Sequence, residues 1–153
     1  MKNAKKPKEK VDTLYKALAL FTADTMVLYV KTLNFHWNMT GPQFFMYHRL
    51  LEEQYKNLAE GLDELAERIR MLGGEAPGSM KDFLKLAQLK ESAGTLSQNE
   101  MVKELVRSHT SMSHLCHQVI EISNQQRDEG TTDLLIERLR FHDQQAWLLR
   151  SHF

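Results

Sequence analysis

His36, His48, Glu52, Asp63 and Glu67 are the side chains of this sequence best suited to holding a metal ion, and all five lie in its first half. Four of them fall on one predicted helical stretch between Pro42 and Gly73. At about 100° per residue, His48 and Glu52 share a helix face, and so do Asp63 and Glu67. Glu52 and Asp63 are separated by close to three whole turns, so both pairs lie on nearly one stripe. At about 1.5 Å per residue the pairs stand roughly 16–22 Å apart along the axis, and one ion cannot reach both. Two copies of this helix packed antiparallel about a two-fold axis near Asn57 and Leu58 would bring His48 and Glu52 of one against Asp63 and Glu67 of the other. The spacing therefore suggests a metal site shared between subunits and occurring twice per dimer. Oxygen-rich ligation with one or two imidazoles suits Fe(II), and hard carboxylates stabilise Fe(III); zinc or manganese fits the same positions. Against this stands a plainer reading for any one pair, a solvated helix face.

Four long helical segments must position these residues. Segment A runs from about Lys10 to Met39, with Leu14, Leu18, Phe21, Thr25, Leu28 and Thr32 at helical spacing. Gly41-Pro42 leads into segment B, with the proline suited to the first helical turn. Gly73-Gly74 forms a left-handed C-cap for B, and Pro77 prevents its continuation. Ser79 to Asp82 cap a short helix reaching about Ala87, and Ser97-x-x-Glu100 reads as a capping box opening segment C, which runs to about Arg127. Thr131-Thr132-Asp133 begins segment D, whose acidic start and Arg150 near its end suit the helix dipole. No alternating strand pattern competes. The expected fold is all-α, a four-helix bundle with a short helix in a long B-to-C connection. No glutamate is followed three residues later by histidine, so the Glu-x-x-His ligands of an intrasubunit di-iron centre are missing.

The segment LNFHWNMTGPQFFMYHRLLEE (Leu33–Glu53), followed by LDELAERIRMLGG (Leu62–Gly74), resembles the Dps family, the small ferritin-like proteins of starved or oxidatively stressed bacteria. ADTMVLYVKT upstream and ERLRFHDQQAWLLRS near the end also resemble it, so the likeness covers nearly all the chain beyond the first ten residues. The resemblance implies that His36, Asp63 and Glu67 form the firm ligand set and that His48 and Glu52 complete a weaker neighbouring site. The family often has aspartate where this chain has Glu52. It also implies oxidation of two Fe(II) with hydrogen peroxide, or more slowly dioxygen, and storage of ferric mineral inside a dodecamer built from two-fold dimers. Trp37 would lie beside the iron and donate an electron or intercept radicals; its plainer reading is a core or interface aromatic. Asp128, Glu129 and Asp133 would line a three-fold pore admitting iron, or simply supply charge for a helix N-terminus. Glu53, Glu60 and Glu64 are candidates for an acidic inner surface.

The formal net charge of zero hides an asymmetry: Lys2, Lys5, Lys6, Lys8 and Lys10 crowd the first ten residues against a single Glu9, leaving a mildly acidic remainder. The expected organisation is a flexible basic arm over 1–10 and a ferritin-like domain over 11–153. The arm predicts sequence-independent, salt-sensitive DNA binding, raised by avidity if a shell displays many copies; its plainer reading is a solubilising tail. A structural nucleoid-binding protein with a vestigial or non-iron metal site is the alternative function. His109, His114, Cys116 and His117 lack tetrahedral zinc spacing and read as surface or interface histidines beside a buried thiol. One cysteine rules out an intrachain disulfide framework and fits a reducing cytoplasm. No membrane span is expected, since MVLYV (Met26–Val30) reads as part of an amphipathic face.

Overall fold

Leu14, Leu18, Phe21, Thr25, Leu28, Thr32, Phe35 and Met39 recur at alternating steps of four and three residues, and every one of them is buried. That is the spacing of a single stripe on a helix, and it fixes which face of the first helix meets the others. The computed structural model describes residues 8–92 and 95–153, with side chains from residue 13 onward. Its elements are α1 (Lys8–Asn38), α2 (Phe44–Met71), α3 (Met80–Leu86), α4 (Gln98–Gln125) and α5 (Glu129–Arg150), with no strand among the described residues. Helix α1 packs chiefly on α2 and α4, and α4 on α5, while α3 lies against α1. The fold is the expected all-α four-helix bundle with a short helix in its long connection.

Thr25 and Thr32 on the α1 stripe, and the buried Thr22 beside it, fit an apolar core because each donates its hydroxyl proton to the carbonyl four residues earlier. Two buried charges on the same helix are also satisfied. Lys31 Nζ donates to Glu104 Oε1 at 2.9 Å and to Ser108 Oγ at 3.0 Å, tying α1 to α4. Asp24 Oδ1 accepts the backbone N–H groups of Gln88 and Leu89 at 2.7 and 2.8 Å, which pins the segment after α3 to the bundle. Burial raises the Asp24 carboxyl above its usual range, and those two N–H bonds oppose the rise. The stretch Thr13–Asn38 is, by length and composition, apolar enough to cross a membrane, a test that buried core helices also pass. More than half of its apolar window is buried among the other helices, so it serves here as the core helix.

The predicted punctuation holds at most helix ends. Gly73 takes φ of +86°, its N–H bonds to the Arg70 carbonyl, and the Gly74 N–H reaches back to Ile69, a Schellman closure of α2. Ser79 caps α3, and Ser97 with Glu100 forms a complete capping box on α4. Two boundaries differ. Pro42 lies in the turn before α2, whose N-cap is Gln43, because Gly41 and Phe44 close a turn around it. Helix α5 starts earlier than Thr131, because Asp128 is its N-cap and accepts the Thr131 N–H. Lys2, Lys5 and Lys6 of the expected arm lie outside the described residues, while Lys8 and Lys10 belong to the first turn of α1.

The interior between α2, α4 and α5 is more polar than the sequence suggests. His109 and His142 are fully buried, with their Nδ1 atoms 3.0 Å apart. This corrects the reading of His109 as a surface or interface residue. The Arg138 guanidinium lies over Phe141, donates to Asn57 Oδ1 at 2.6 Å, and occupies space that a side chain at Gly61 would take. Gln54 donates to Gln145 across the same layer. Cys116 is buried as expected, and burial pushes its thiol up to about 12.

Candidate metal centre

His36 sits in the last turn of α1, and its backbone carbonyl is one of those a helix C-terminus leaves without a helical partner. His48 lies one turn into α2. The short turn through Gly41 folds α2 back so that the two imidazoles stack, with ring centroids 3.8 Å apart and planes 13° from parallel. Each ring also hydrogen-bonds the other residue's backbone. His36 Nδ1 lies 2.8 Å from the His48 carbonyl oxygen, and His48 Nδ1 lies 2.9 Å from the His36 carbonyl oxygen. A carbonyl only accepts, so both Nδ1 atoms must carry protons. In the neutral rings both Nε2 atoms then present lone pairs, the form in which imidazole ligates a metal. Tyr55 and Phe44 pack against the two rings from either side and restrict their rotation.

Glu52 lies one turn beyond His48 and within electrostatic reach of His36. Its carboxylate accepts from Lys56 Nζ at 2.6 Å, and that bond, with the lysine charge, holds its carboxyl below the usual range. A metal ion drawing on Glu52 therefore competes with Lys56. Asp63 and Glu67 are exposed further along the same uninterrupted helix. The buried face of α2 is Tyr47, Leu51, Gln54, Leu58, Gly61, Leu65 and Ile69. The stripe of four ligand candidates on α2 lies roughly 140° around the helix from that face, by its 100° step per residue. Among the described residues of one chain, no three His, Cys, Asp or Glu side chains converge on a common metal position. The structure thus brings His36 and His48 together, sets Glu52 one turn away with its carboxylate on Lys56, and leaves Asp63 and Glu67 as a separate pair.

Trp37 is 68% exposed, which removes it from the core of this chain. Phe44, Phe45 and Met46 are exposed nearby in sequence, so the rim of the His36–His48 site carries uncovered apolar surface. At the other end of α2, Arg68 Nη2 donates to Asp128 Oδ1 at 2.5 Å and Nε to Thr131 Oγ1 at 2.9 Å. Asp128 thereby caps α5 and anchors it to α2; burial opposes its ionisation, but the Thr131 bonds and Arg68 together hold its carboxyl below the usual range. Glu129 and Asp133 are exposed, as are Glu53, Glu60 and Glu64 on α2.

Sequence reasoning missed Lys56, Tyr55 and His142. The first two stand at i+4 and i+3 from Glu52, spacings that place them beside the site. His142 falls on the buried α5 stripe with Leu135, Arg138, Ala146 and Leu149, a signal that its polar type concealed.

The comparisons agree with this architecture. A ferritin-like domain profile matches residues 15–153. DNA protection during starvation protein 2 of Bacillus anthracis is 36% identical over 84% of this chain and 88% of its own length. An uncharacterised low-temperature-induced protein of Nostoc sp. is 44% identical over 84% of this chain and 73% of its own. The crystal structure of a Dps protein from Bacillus brevis superposes with a TM-score of 0.93 at 30% identity, covering 96% of this chain and 99% of that one. A Vibrio cholerae Dps, described as a member of a broad superfamily of ferritin-like diiron-carboxylate proteins, gives 0.89 at 31% identity, over 94% and 90% of the two chains. With histidines and carboxylates arrayed along α1 and α2 of a ferritin-like bundle, the chain belongs to the Dps family.

Proposed function

We propose that the protein is a ferroxidase and iron-storing shell of the Dps type, whose oxidation sites are shared across a two-fold subunit interface. The observation that carries this reading is the reciprocal bonding of His36 and His48. It fixes both imidazoles as Nε2 donors at the edge of the subunit, on a surface where Trp37 and Phe45 leave apolar area to be covered. Iron is the substrate. His36 with Asp63 and Glu67 of the partner subunit supplies the firmer position, and His48 with Glu52 the neighbouring one, after Lys56 yields its carboxylate. Two Fe(II) each give up one electron; these break the O–O bond of one hydrogen peroxide, and two protons complete two waters. Dioxygen is the slower oxidant. Consuming iron and peroxide together withholds the reactants of hydroxyl-radical chemistry. Trp37 supplies or intercepts an electron, a role that its place next to His36 supports. Zinc or manganese competes for the same donors.

Twelve such subunits enclose the ferric mineral, and Glu129 and Asp133 attract Fe(II) to the pores at which α5 begins. Uptake that slows as salt rises is the signature of that focusing. The lysines of residues 1–10 hold DNA without sequence preference, in keeping with relatives named for DNA protection. Deleting residues 1–10 should abolish retardation of DNA and leave iron oxidation unchanged; equal retardation by the truncated shell would remove the arm from this role. The setting is the bacterial cytoplasm, in accord with a free, buried Cys116.

The shared site is tested by subunit mixing. His36→Ala and Asp63→Ala should each abolish rapid iron oxidation. Assemblies reconstituted from both variants should regain activity, since an intact half from each can meet at one end of a mixed dimer. If mass spectrometry confirms mixed dimers and no activity returns, the two-fold reading fails.

A further inference from the structure

The histidine cluster of α4 is split by the fold. His109 and Cys116 turn into the bundle, whereas His114 and His117 remain exposed and line a groove against α5. The opposite wall carries Asp143, with Arg150 toward one end, and the groove encloses about 230 Å³. Its floor includes Ser113, which is 8% exposed and whose Oγ is buried without a hydrogen-bond partner. A buried hydroxyl without a partner costs free energy unless something in the groove bonds it.

We propose that this α4–α5 groove is a second metal site, taking a borderline divalent transition-metal ion such as Zn²⁺ or Co²⁺ on His114, His117 and Asp143. The two imidazoles are three residues apart on α4 and so neighbours on one face. Asp143 faces them from another helix, so the ligand set joins two elements. In the single chain the donors border the groove without converging on one point. Convergence requires rotamer changes of the exposed His114, His117 and Asp143 side chains, picosecond-to-nanosecond motions at such positions. A water molecule's share of liquid volume is about 30 Å³, so the groove has room for an ion and the waters that complete its coordination. One such water satisfies Ser113 Oγ, which gives the orphaned hydroxyl its partner and orients that ligand. Arg150 sets the selectivity. A hard cation held by charge alone, such as Mg²⁺ or Ca²⁺, is disfavoured beside a guanidinium and offered a single carboxylate. A borderline metal binds imidazole with enough strength to tolerate that neighbour.

The proposal is independent of the iron-oxidising site, and the test keeps the two apart. The full-length protein carrying His36→Ala and Asp63→Ala should still bind one Co²⁺ per subunit, seen by equilibrium dialysis and by the visible absorption of protein-bound cobalt. Zn²⁺ should displace it, and excess Mg²⁺ should not. Adding His114→Gln and His117→Gln, both at exposed positions, should weaken Co²⁺ binding by more than about 100-fold, while Ser113→Ala should weaken it by about tenfold. Circular dichroism should show unchanged helix content in each. Cobalt bound with the same stoichiometry and spectrum after the two histidine substitutions would overturn the proposal. So would failure of the iron-site variant to bind Co²⁺ at all.

Discussion

Two pairs of histidines in this molecule are built from the same side chain and do opposite things. His36 and His48 stack where α1 turns into α2, and each gives its Nδ1 proton to a backbone carbonyl. His109 and His142 meet in the core through their Nδ1 atoms, so one must donate and the other accept. The stacked pair consequently presents two Nε2 lone pairs. The core pair holds one Nε2 lone pair and one Nε2–H, both buried and neither hydrogen-bonded. What decides a histidine's role here is the partner of its other nitrogen. A carbonyl partner frees Nε2 for ligation, whereas a second imidazole confines the proton within the pair.

The sharpest way to break this comparison is to truncate one member of each pair. His36→Ala should slow iron oxidation by about 100-fold or more, the scale expected when a metal site loses an essential partner, with little change in Tm. His142→Ala should do the reverse, destabilising the fold by about 2–4 kcal/mol through a cavity and a buried nitrogen left without its partner. Stopped-flow oxidation and thermal unfolding, applied to both variants, decide between the two roles. Parallel effects on rate and stability would dissolve the distinction.

A smaller effect sharpens it through pH. Burial, with the Arg138 charge, lowers His109 to about 3, and burial first and then the charges of His109 and Arg138 lower His142 well below 6.5. A depressed folded-state value means that the unfolded chain binds more protons between about pH 3 and 6.5. Stability from this pair is therefore fully present above pH 6.5 and is lost as pH falls through that window, by up to about 1.4 kcal/mol per pH unit for each imidazole. Replacing both residues with leucine should flatten the dependence of Tm on pH over this range. An unchanged slope would place the acid sensitivity elsewhere.

The smallest effect belongs to Lys56. Lys56→Ala should release Glu52 and raise affinity for the second iron severalfold, with no measurable change in Tm, because the pair is exposed. Calorimetric titration with Fe(II) under anaerobic conditions measures this directly. Weaker binding in that variant would mean that Lys56 assists the site instead of competing with it.

The bundle was legible because heptad-like spacing survives even where polar residues occupy it. Leu14 to Met39 announces the core face of α1, and the Ser97–Glu100 box and Gly73 mark helix ends by local chemistry alone. The placement of His48, Glu52, Asp63 and Glu67 along one unbroken helix was legible for the same reason, since helix geometry converts sequence separation into distance. The core polar layer was not. Arg138, His142 and Gln145 lie on the buried stripe of α5, but nothing in the chain order says that His109 and Asn57 come from other helices to meet them. The dual role of Asp128 was equally hidden, because Arg68 reaches it from sixty residues away.

Helix α2 runs unbroken from Phe44 to Met71, with one half of the proposed iron site near its start and the other near its end. In the proposed two-fold dimer such a helix acts as a gauge block, and symmetry reads it twice. Inserting one residue between Glu52 and Asp63 would turn the distal pair by about 100° and advance it by about 1.5 Å in both subunits at once. Both sites of a dimer would then fail together, with no loss of helix content to announce it. Inserting four residues nearly restores the phase, but adds about 6 Å that the opposing helix cannot absorb. In the proposed dimer, substitutions on the solvent face of this stretch would leave the spacing intact, whereas a single insertion or deletion would not.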